Sequence, residues 1–585
     1  MKKLSFLLAI LLLFSAFITA CNKNEAPQAT TPPETTLANT TPEETTSVPL
    51  DTPIVHTSIS KEQLEKYEVI YAKNSSSEVK SEVKPLVEAV FNAFDVMLNQ
   101  RTDLYYEGVE SLAKGQYEIL IGNTNREESE TFLSTLRWDD YGYGIVGDKL
   151  VIAGKNEDGT LMALRAFLEH IQKNEKDGEI FFTNENRLLI QKQYPFPTVT
   201  INGIAAEELS ILCNEQELGG VAQIIRDAII ESCGIAVPIL TDADVKEGDK
   251  LFVIGESLHI TEDAWVAAFL SGNEYSVHSN ENLIWLNAKT AAGYYSAAVY
   301  IDESLSPDGK GDDYVVLGKK HTGDDALPVM SFNLKAESKT ADYNARTDAV
   351  IGSILKYRPA VVGVQEATDQ WMNILREKLG DVYTIVGEGR NAEGHDEHSA
   401  ILYLTAEFDC LESGTKWLSD TPDVAGSKFA DSHYTRIMTY VHLSRKSDGK
   451  EFLHVNTHLD YGTTDAEEAV KVEQMEVLFQ EISKFSNLPT IITGDFNATA
   501  DSPVYQKMIS NGYTDACNLP VEQRPHTYHG LMGTTGEESH IDYIFAKDIS
   551  VMHNSYRVCT ERVDNENVSD HYPIFTVLAF PSIGK

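Results

Sequence analysis

The sequence predicts an α/β chain of several domains, on three observations. At 585 residues the chain is too long for one hydrophobic core, so three or four domains are expected. Residues 60–320 contain an internal repeat with the order helix, strand, strand, helix. Further on, several apolar runs read as buried strands that each end in a polar residue. These runs are VMSFNL, AVVGVQE, FLHVNTHL and TIITGDFN.

The first 20 residues are predicted to be a lipoprotein signal peptide. Lys2 and Lys3 precede an apolar run that is too short for a stable membrane span, and small residues follow it. Cys21 comes directly after Ala20 and resembles the acylated cysteine of a bacterial lipobox. We therefore expect lipid attachment at Cys21 and a location at the cell surface or in the periplasm. An ordinary secretory signal with a chance cysteine is the alternative.

Residues 21–58 are rich in Thr, Pro, Glu and Ala and are predicted to form a disordered tether, because such a segment cannot bury enough apolar area to fold. The five other cysteines match neither a zinc site nor a dense disulfide scaffold, so buried thiols are expected. Pairing of Cys213 with Cys233, or of Cys517 with Cys559, stays open.

The repeat predicts two tandem α/β modules, at 59–195 and 196–318. YEILIGNT aligns with LFVIGES at an offset of 133, which places Gly122 over Gly255. The modules weakly resemble small α/β domains that precede catalytic barrels in some glycoside hydrolases. No convergent set of acids and histidines is found here, so a spacer or docking scaffold is preferred, with glycan or cell-wall binding as the alternative. A polar linker is predicted at about 318–328, and a further domain at 327–585.

The charge of the chain argues against tight, sequence-independent binding of nucleic acid. The net charge is −41, and from residue 327 onward there are 22 Lys and Arg against 38 Asp and Glu. Such binding usually rests on a basic surface that neutralises phosphates. We expect no stable nucleic-acid complex, although a local basic groove is compatible with an acidic average.

Five short segments of the last domain carry the chemistry. Each places Asn, Glu, His or Asp at the end of an apolar run, and hard divalent cations need oxygen ligands of this kind. In order along the chain the segments are SFNL, VQEA, NTHLD, GDFN and SDHYP. Over about residues 327–580 this set resembles the endonuclease/exonuclease/phosphatase superfamily, the metal-dependent phosphoesterases related to pancreatic deoxyribonuclease. The resemblance implies a four-layer α/β/β/α sandwich with its site at one end.

The resemblance also assigns roles to individual residues. Glu366 would bind Mg²⁺ or Mn²⁺. Asp570 would bind the same ion from a second side or act through water, and Asn333 would reach the ion or the phosphate. Asp495 would orient and deprotonate the attacking water, and Asn497 would hold that water or a phosphoryl oxygen.

Two histidines are expected to face the phosphate, each with a carboxylate partner. These pairs are His571 with Asp542 and His458 with Glu397, and a partner of this kind fixes the tautomer of the imidazole. Arg436 could clamp a phosphate through two hydrogen bonds. Weaker candidates without a firm role are Asp460, Tyr461, His526 and His529.

The preferred function is therefore a surface-anchored, metal-dependent hydrolase of a phosphomonoester or phosphodiester. A secreted nuclease of the same fold is the rival enzyme. A non-catalytic lipoprotein that binds glycan or cell wall through its tandem modules is the rival from another class.

Overall fold

In this computed structural model the chain has two successive parts, which differ in how their sheets are arranged. The described residues all lie in one compact unit, Ser47–Lys585. They are 58–580 without 104–113, 174, 177–178, 182–186, 202, 260–269, 271, 280–281, 306–312, 315–318, 323, 338–339, 486, 531–538 and 564–565. The predicted signal peptide, Cys21 and all of the predicted tether except Ser58 fall outside these residues. No described helix is long and apolar enough to cross a membrane.

The first part of the chain contains eighteen described strands and six described α-helices. In chain order these are β1 (Ser58–Ser60), α1 (Lys61–Leu64), β2 (Glu68–Tyr71), α2 (Ser77–Phe94), β3 (Asn99–Thr102), β4 (Glu118–Ile121), α3 (Glu127–Leu133), β5 (Tyr141–Val146), β6 (Lys149–Gly154), α4 (Glu157–Lys173), β7 (Glu175–Lys176), β8 (Glu179–Phe181), β9 (Arg187–Ile190), β10 (Thr200–Ile201), β11 (Ile204–Ala205), β12 (Leu209–Cys213), α5 (Gly219–Cys233), β13 (Ile239–Leu240), β14 (Lys250–Ile254), β15 (Glu274–Ser279), β16 (Leu283–Ala288), α6 (Ala291–Leu305), β17 (Asp313–Tyr314) and β18 (Lys319–Thr322).

The second part adds thirteen described strands and four described α-helices. They are β19 (Ala326–Asn333), α7 (Thr340–Tyr357), β20 (Val361–Ala367), α8 (Asp369–Leu379), β21 (Tyr383–Val386), β22 (His398–Leu404), β23 (Phe408–Trp417), β24 (Ile437–Arg445), β25 (Glu451–His458), α9 (Asp465–Ile482), β26 (Thr490–Asp495), α10 (Pro503–Ser510), β27 (Thr514–Asp515), β28 (Asp542–Lys547), β29 (Ser550–Val551), β30 (Arg557–Val558) and β31 (Ile574–Ala579).

Two six-stranded sheets of the first part have the same topology. Their strand orders are β3-β2-β4-β6-β5-β9 and β13-β12-β14-β16-β15-β18. In each sheet the first four strands are parallel, the fifth is antiparallel to the fourth, and the sixth is antiparallel to the fifth. The sequence repeat omitted the antiparallel and edge strands. The division into modules at 59–195 and 196–318 stays a prediction.

The predicted polar linker at about 318–328 is largely strand instead. Residues 319–322 form β18, which completes the second six-stranded sheet by pairing with β15. The next strand, β19, already begins at Ala326 and is buried along its whole length. The chain therefore passes between the two sheets through only a few residues.

The second part stacks two further sheets face to face. One has the order β21-β22-β20-β19-β31-β29, with β30 also paired to β31, and the other has the order β23-β24-β25-β26-β28-β27. Strand β20 contacts β25 and β26 across the interface. Helices α7 and α8 pack on the first sheet, and α9 and α10 share a core with the second. This mixed α/β arrangement is consistent with the predicted sandwich.

A buried polar network joins the two facing sheets beneath one of their ends. Gln365 donates from Nε2 to Asn456 Oδ1 at 2.8 Å, and Thr493 Oγ1 donates to the same oxygen at 3.0 Å. A Cβ at Gly363 would lie 2.0 Å from Thr493 Oγ1 and 2.5 Å from Asn456 Oδ1, so only glycine leaves room for the network. Buried polar groups that hydrogen-bond in this way fix how the sheets stack.

The second six-stranded sheet shares one hydrophobic core with the sandwich. The phenol of Tyr295 on α6 donates to the carbonyl of Tyr357 at the end of α7, and its ring lies 5.6 Å from that of Phe575. Arg557 pairs with Asp302 of α6 at 2.6 Å. The second six-stranded sheet and α6 thus pack against the sandwich. The five described cysteines are free thiols, so neither candidate disulfide is formed.

Candidate active site

Strand ends bring the predicted site residues to one end of the facing sheets. Asn333 ends β19, His458 ends β25, Asp495 ends β26 and Asp542 begins β28. In the ladder, Asp495 is the register partner of both His458 and Asp542. The side chains of register partners at the ends of paired strands lie next to each other. Residues more than 200 positions apart in the chain therefore meet there.

Asn333 connects two carboxylates. Its side chain is fully buried and donates from Nδ2 to Asp495 Oδ2 at 3.0 Å and to Glu366 Oε1 at 3.2 Å. The second oxygen of Glu366 accepts from the backbone N–H of Ala336 at 2.7 Å. Glu366 has φ +53° and lies in a bulge where β20 leaves its pairing with β22. Such strain at the end of a strand turns the carboxylate away from the ladder and is common at functional sites.

Asp495 is a buried carboxyl with an unusual proton affinity. Burial raises its pKa to about 7, and the neighbouring Asp542 adds to the rise, while His571 and the backbone N–H of Asn497 oppose it. That N–H lies 2.9 Å from Asp495 Oδ1. A carboxylate with a pKa near neutrality can take a proton from water and release it again.

His571 is held as a cation by a buried carboxylate. Its Nδ1 lies 2.8 Å from Asp542 Oδ2, the pair expected from the sequence. Burial lowers the pKa of His571, but the carboxylates of Asp542, Asp495 and Asp570 outweigh burial and raise it to about 10. The other nitrogen, Nε2, lies 3.7 Å from Asp495 Oδ2. The imidazolium can therefore donate a hydrogen bond beside the central carboxylate.

His458 is held in the opposite, neutral state. Asn497 Nδ2 lies 3.1 Å from the carbonyl of Leu459, which can only accept, so this nitrogen is a donor. The same Nδ2 lies 3.1 Å from His458 Nε2, which must then accept. The pKa of His458 lies well below its usual range because of burial and because Arg436 and His571 are nearby cations. Its proton is therefore on Nδ1, and the ring lines a cleft with Glu366.

The expected pair of His458 with Glu397 is not formed. Among the described residues, Glu397 instead accepts from Arg390 Nη1 at 2.8 Å. Arg390 precedes Glu397 by seven residues, and its charge outcompetes a neutral imidazole for the carboxylate. Burial raises the pKa of Glu397. Both Glu397 and His458 nevertheless line the same cleft.

Arg436 is buried beside this cleft. It is 5% exposed, and its Nε has no hydrogen-bond partner among the described residues, although Asp460 Oδ1 lies 3.7 Å away. Burial and the charge of Arg390 lower the pKa of Arg436. A buried guanidinium with an open donor is suited to receive an anionic group.

The loop that carries Asp570 is fixed from two sides. The carbonyl of Asp570 accepts from the backbone N–H of His529 at 3.0 Å, and the ring of His529 stacks on Tyr572 at 4.2 Å. Burial, together with the cation of His571, lowers the pKa of His529 to about 4, so this histidine is a neutral support. His526, the second histidine among the weaker candidates, is exposed.

The same loop is tied to the first part of the chain. Arg562 donates from Nη2 to Asp158 Oδ1 at 2.6 Å and from Nη1 to Glu78 Oε2 at 3.1 Å. Asn567 Nδ2 donates to Glu78 Oε1 at 2.9 Å. Glu78 and Asp158 lie in the first turns of α2 and α4. The segment ahead of Asp570 is therefore braced by the first six-stranded sheet and its helices.

Two sets of side chains have the chemistry to hold a divalent cation. Glu366 and Asp570 offer carboxylate oxygens, whereas Asn333 turns Nδ2 toward Glu366 and its Oδ1 accepts from the backbone N–H of Lys335 at 2.9 Å. Burial raises the pKa of Asp570, with Glu366 contributing as a nearby like charge. A cation between two such carboxylates would relieve that repulsion. Ligand atoms of Asp495, Asp542 and His571 also lie within 4.8 Å of one another. In that group Nδ1 of His571 lies 2.8 Å from Asp542 Oδ2, which leaves Nε2 as the open ligand atom of the imidazole.

Several residues that position the site were missed by the sequence analysis. Lys471 of α9 is fully buried and donates from Nζ to the carbonyls of Asn497, at 2.6 Å, and Gly462, at 2.8 Å. Thr527 Oγ1 accepts from the backbone N–H of Asp542 at 3.1 Å. A lysine on the apolar face of a helix is a signal that could have identified Lys471. Thr527 carries no comparable signal.

The part of the chain that carries this site resembles known proteins. Residues 330–571 match the model of the Endonuclease/Exonuclease/phosphatase family. Among solved structures, an endonuclease/exonuclease/phosphatase from Bacteroides vulgatus is 26% identical, with a TM-score of 0.40, over 44% of this chain and 99% of that chain. A mannosyl-6-phosphatase from Bacteroides thetaiotaomicron is 29% identical, with a TM-score of 0.37, over 43% and 100%. The search of curated proteins gave no match. The family match supports a hydrolase of phosphoesters in residues 330–571.

Proposed function

We propose that this part of the chain is a divalent-metal-dependent phosphoesterase in which water attacks phosphorus. The observation that carries the proposal is the set of side chains that surround the carboxyl of Asp495. A buried carboxyl lies between Asn333, a cationic His571 and a neutral His458, at 3.0, 3.7 and 3.6 Å. Burial and the neighbouring Asp542 raise its pKa to about 7 despite the cationic His571, so this carboxyl is suited to exchange a proton.

Glu366, Asn333 and Asp570 would hold Mg²⁺ or Mn²⁺. When bound, such an ion stabilises negative charge on phosphoryl oxygens and makes water more acidic. The oxygen donors of these three side chains suit a hard cation. The choice between the two ions is left to experiment.

Asp495 would orient the water and accept its proton. Asn497 is fixed by its own hydrogen bonds beside Asp495, so its position limits where the water can lie. A positioned base of suitable pKa contributes about 10²–10⁴-fold to such reactions.

His571 and His458 would stabilise the phosphoryl group as charge develops on it. His571 donates from Nε2 as an imidazolium, with Asp542 holding its other nitrogen. His458 donates from Nδ1 as a neutral ring, since its Nε2 is occupied by Asn497. Arg436 would add a guanidinium, since it lines the same cleft as His458. Donors aimed at developing charge in a buried site are the most effective form of stabilisation.

The substrate is proposed to be a small phosphate ester. With 38 acidic against 22 basic residues after residue 326, the domain lacks the charge that long nucleic acids require. A secreted nuclease of the same fold is the alternative enzyme.

We also propose attachment to the membrane through a lipidated Cys21. Contact of the two six-stranded sheets of the first part with glycan or cell wall is a further part of the proposal. The attachment rests on the sequence around Ala20 and Cys21. A Cys21→Ser variant that stays in the membrane fraction would contradict it.

The activity is tested by incubating purified protein with phosphomonoesters, phosphodiesters, sphingomyelin and plasmid DNA. We expect hydrolysis of a small ester that stops with a chelator and returns with Mg²⁺ or Mn²⁺. Glu366→Gln should raise the metal concentration needed for half-maximal rate, and the exposed Glu377→Gln serves as the matched control. Preferential cleavage of plasmid would favour the nuclease. Hydrolysis of nothing in this panel would favour the non-catalytic alternative.

A further inference from the structure

Two exposed tyrosines lie beside the cleft that Glu366 and His458 line. Tyr434 is 47% and Tyr461 45% exposed, and both are among the most accessible large side chains of the described part. The ring of Tyr434 lies 5.0 Å from the guanidinium of Arg390 and 5.5 Å from that of Arg436. Both arginines line the cleft, so Tyr434 stands at its edge.

A third ring extends this surface. His433 stacks on Tyr461 with centroids 4.5 Å apart and an interplanar angle of 26°, and Tyr434 lies 5.7 Å from Tyr461. We call His433, Tyr434 and Tyr461 the aromatic rim. Exposed aromatic groups collected at one place usually mark a recognition surface.

The aromatic rim is held in place by a buried carboxylate. Asp460 is 2% exposed and accepts from the backbone N–H groups of His433, Tyr434 and Tyr461 at 2.6, 3.3 and 3.2 Å. These bonds join the segment before β24 to the segment after β25. Since Asp460 follows His458 by two residues, the rim and the candidate phosphate site share one rigid support.

The cleft beside the aromatic rim is lined by groups that suit an anion. Arg390 and Arg436 line it together with Glu366 and His458. Two guanidinium groups at one cleft are suited to bind a phosphoryl group. Because the ring of Tyr434 lies against both guanidinium groups, a phosphate bound by them would place the group that it carries next to the aromatic rim.

We propose that the aromatic rim binds the leaving group, and that the leaving group contains a ring whose flat face packs on Tyr434 and Tyr461. A pyranose and a nucleobase both offer such a face, whereas glycerol does not. This inference rests on the proposed phosphoesterase activity and names the class of ester that the site prefers.

The test compares kcat/KM for a hexose 6-phosphate, a nucleoside 5′-monophosphate and glycerol 3-phosphate in the wild type and in rim variants. We expect one of the ring substrates to be preferred over glycerol 3-phosphate. Tyr434→Ala should reduce that preference about tenfold, a typical loss for one stacking partner, mainly through KM. Tyr434→Phe keeps the ring and should retain the preference. Phe91→Ala removes an exposed aromatic side chain from α2 and is the matched control.

The outcomes separate the two proposals. If the wild type hydrolyses none of the three esters and no other phosphoester, the activity itself fails. If it hydrolyses glycerol 3-phosphate as well as both ring substrates, or if Tyr434→Ala and Tyr461→Ala lower all three rates equally, the rim has no role in recognising a ring. A larger loss for the hexose than for the nucleotide identifies a sugar as the leaving group, and the reverse identifies a nucleoside.

Discussion

Two buried carboxylates, one in each part of the chain, differ in the charged groups that surround them. Glu118 at the start of β4 is fully buried and lies 2.8 Å from Arg126 and 3.0 Å from Lys149. Burial raises its pKa, but hydrogen bonds from Arg126, Gly115 and Lys149 outweigh this and lower it to about 2. Asp495 is just as buried but faces Asp542, and its pKa is raised to about 7.

The difference separates structural from chemical roles. Cations around Glu118 keep it charged at every physiological pH, so it stabilises the fold and cannot exchange protons. Asp495 has one cation nearby, His571 at 3.7 Å, but burial and the like charge of Asp542 outweigh it and keep a proton available near neutral pH. The following predictions are ordered by the size of the expected effect.

Asp495→Asn should lower kcat at least a hundredfold, because the amide cannot accept a proton from water. Its melting temperature should change little, since the substitution removes both the repulsion with Asp542 and the attraction to His571. Asp548→Asn, at an exposed site, is the matched control. Single-turnover kinetics and thermal unfolding measure both effects. A variant as active as the wild type would remove the assignment of the base.

Glu118→Gln should show the opposite behaviour. Breaking a buried ion pair costs about 3 kcal/mol, so the free energy of unfolding should fall while kcat per folded molecule changes little. Because the folded pKa is depressed, this stabilisation is present above about pH 4.5 and is lost as pH falls toward 2. Denaturant unfolding at pH 7 and pH 3 checks this, and a difference from the wild type that is as large at low pH would contradict it.

The rate should depend on pH in a bell shape. Below about pH 7 Asp495 is protonated and cannot act as a base, and above about pH 10 His571 loses its proton and its charge. Each limb should change about tenfold per pH unit. Asp542→Asn should shift the alkaline limb to lower pH, because it removes the carboxylate bonded to His571 Nδ1. An unmoved alkaline limb would show that another group titrates there.

Arg562→Ala should have the smallest effect, a loss in kcat on the order of tenfold or less. It removes the ion pairs to Glu78 and Asp158 that brace the segment ahead of Asp570, and small displacements of catalytic groups are costly. The exposed Arg376→Ala is the control. Equal rates for both variants would show that the first part of the chain does not support the site.

The sequence was informative where a residue's own strand determines its place. The apolar runs that end at Asn333, His458 and Asp495 predicted which strand ends meet, and the structure brings Asp542 to His571 as expected. It was less informative where a loop decides the partner. Arg390 lies in a loop and binds Glu397 in place of His458, and no periodic sequence pattern predicts such a contact.

Contacts between distant parts of the chain were also beyond the sequence. Glu78 and Arg562 lie 484 residues apart and read separately as surface charges. Asp460 looked like a pocket residue without a role, because its function as an acceptor for three backbone N–H groups depends on how two loops meet. Local patterns predict strand ends, whereas loop packing has to be observed.

Anomalous diffraction from crystals soaked in Mn²⁺ tests the central claim most directly, since it locates the ion without relying on activity. The account predicts one strong peak within coordination distance of oxygens from Glu366, Asn333 and Asp570, beside but not bonded to His571. A peak bound by Asp495, Asp542 and His571 instead, or no peak at saturating Mn²⁺, would contradict it.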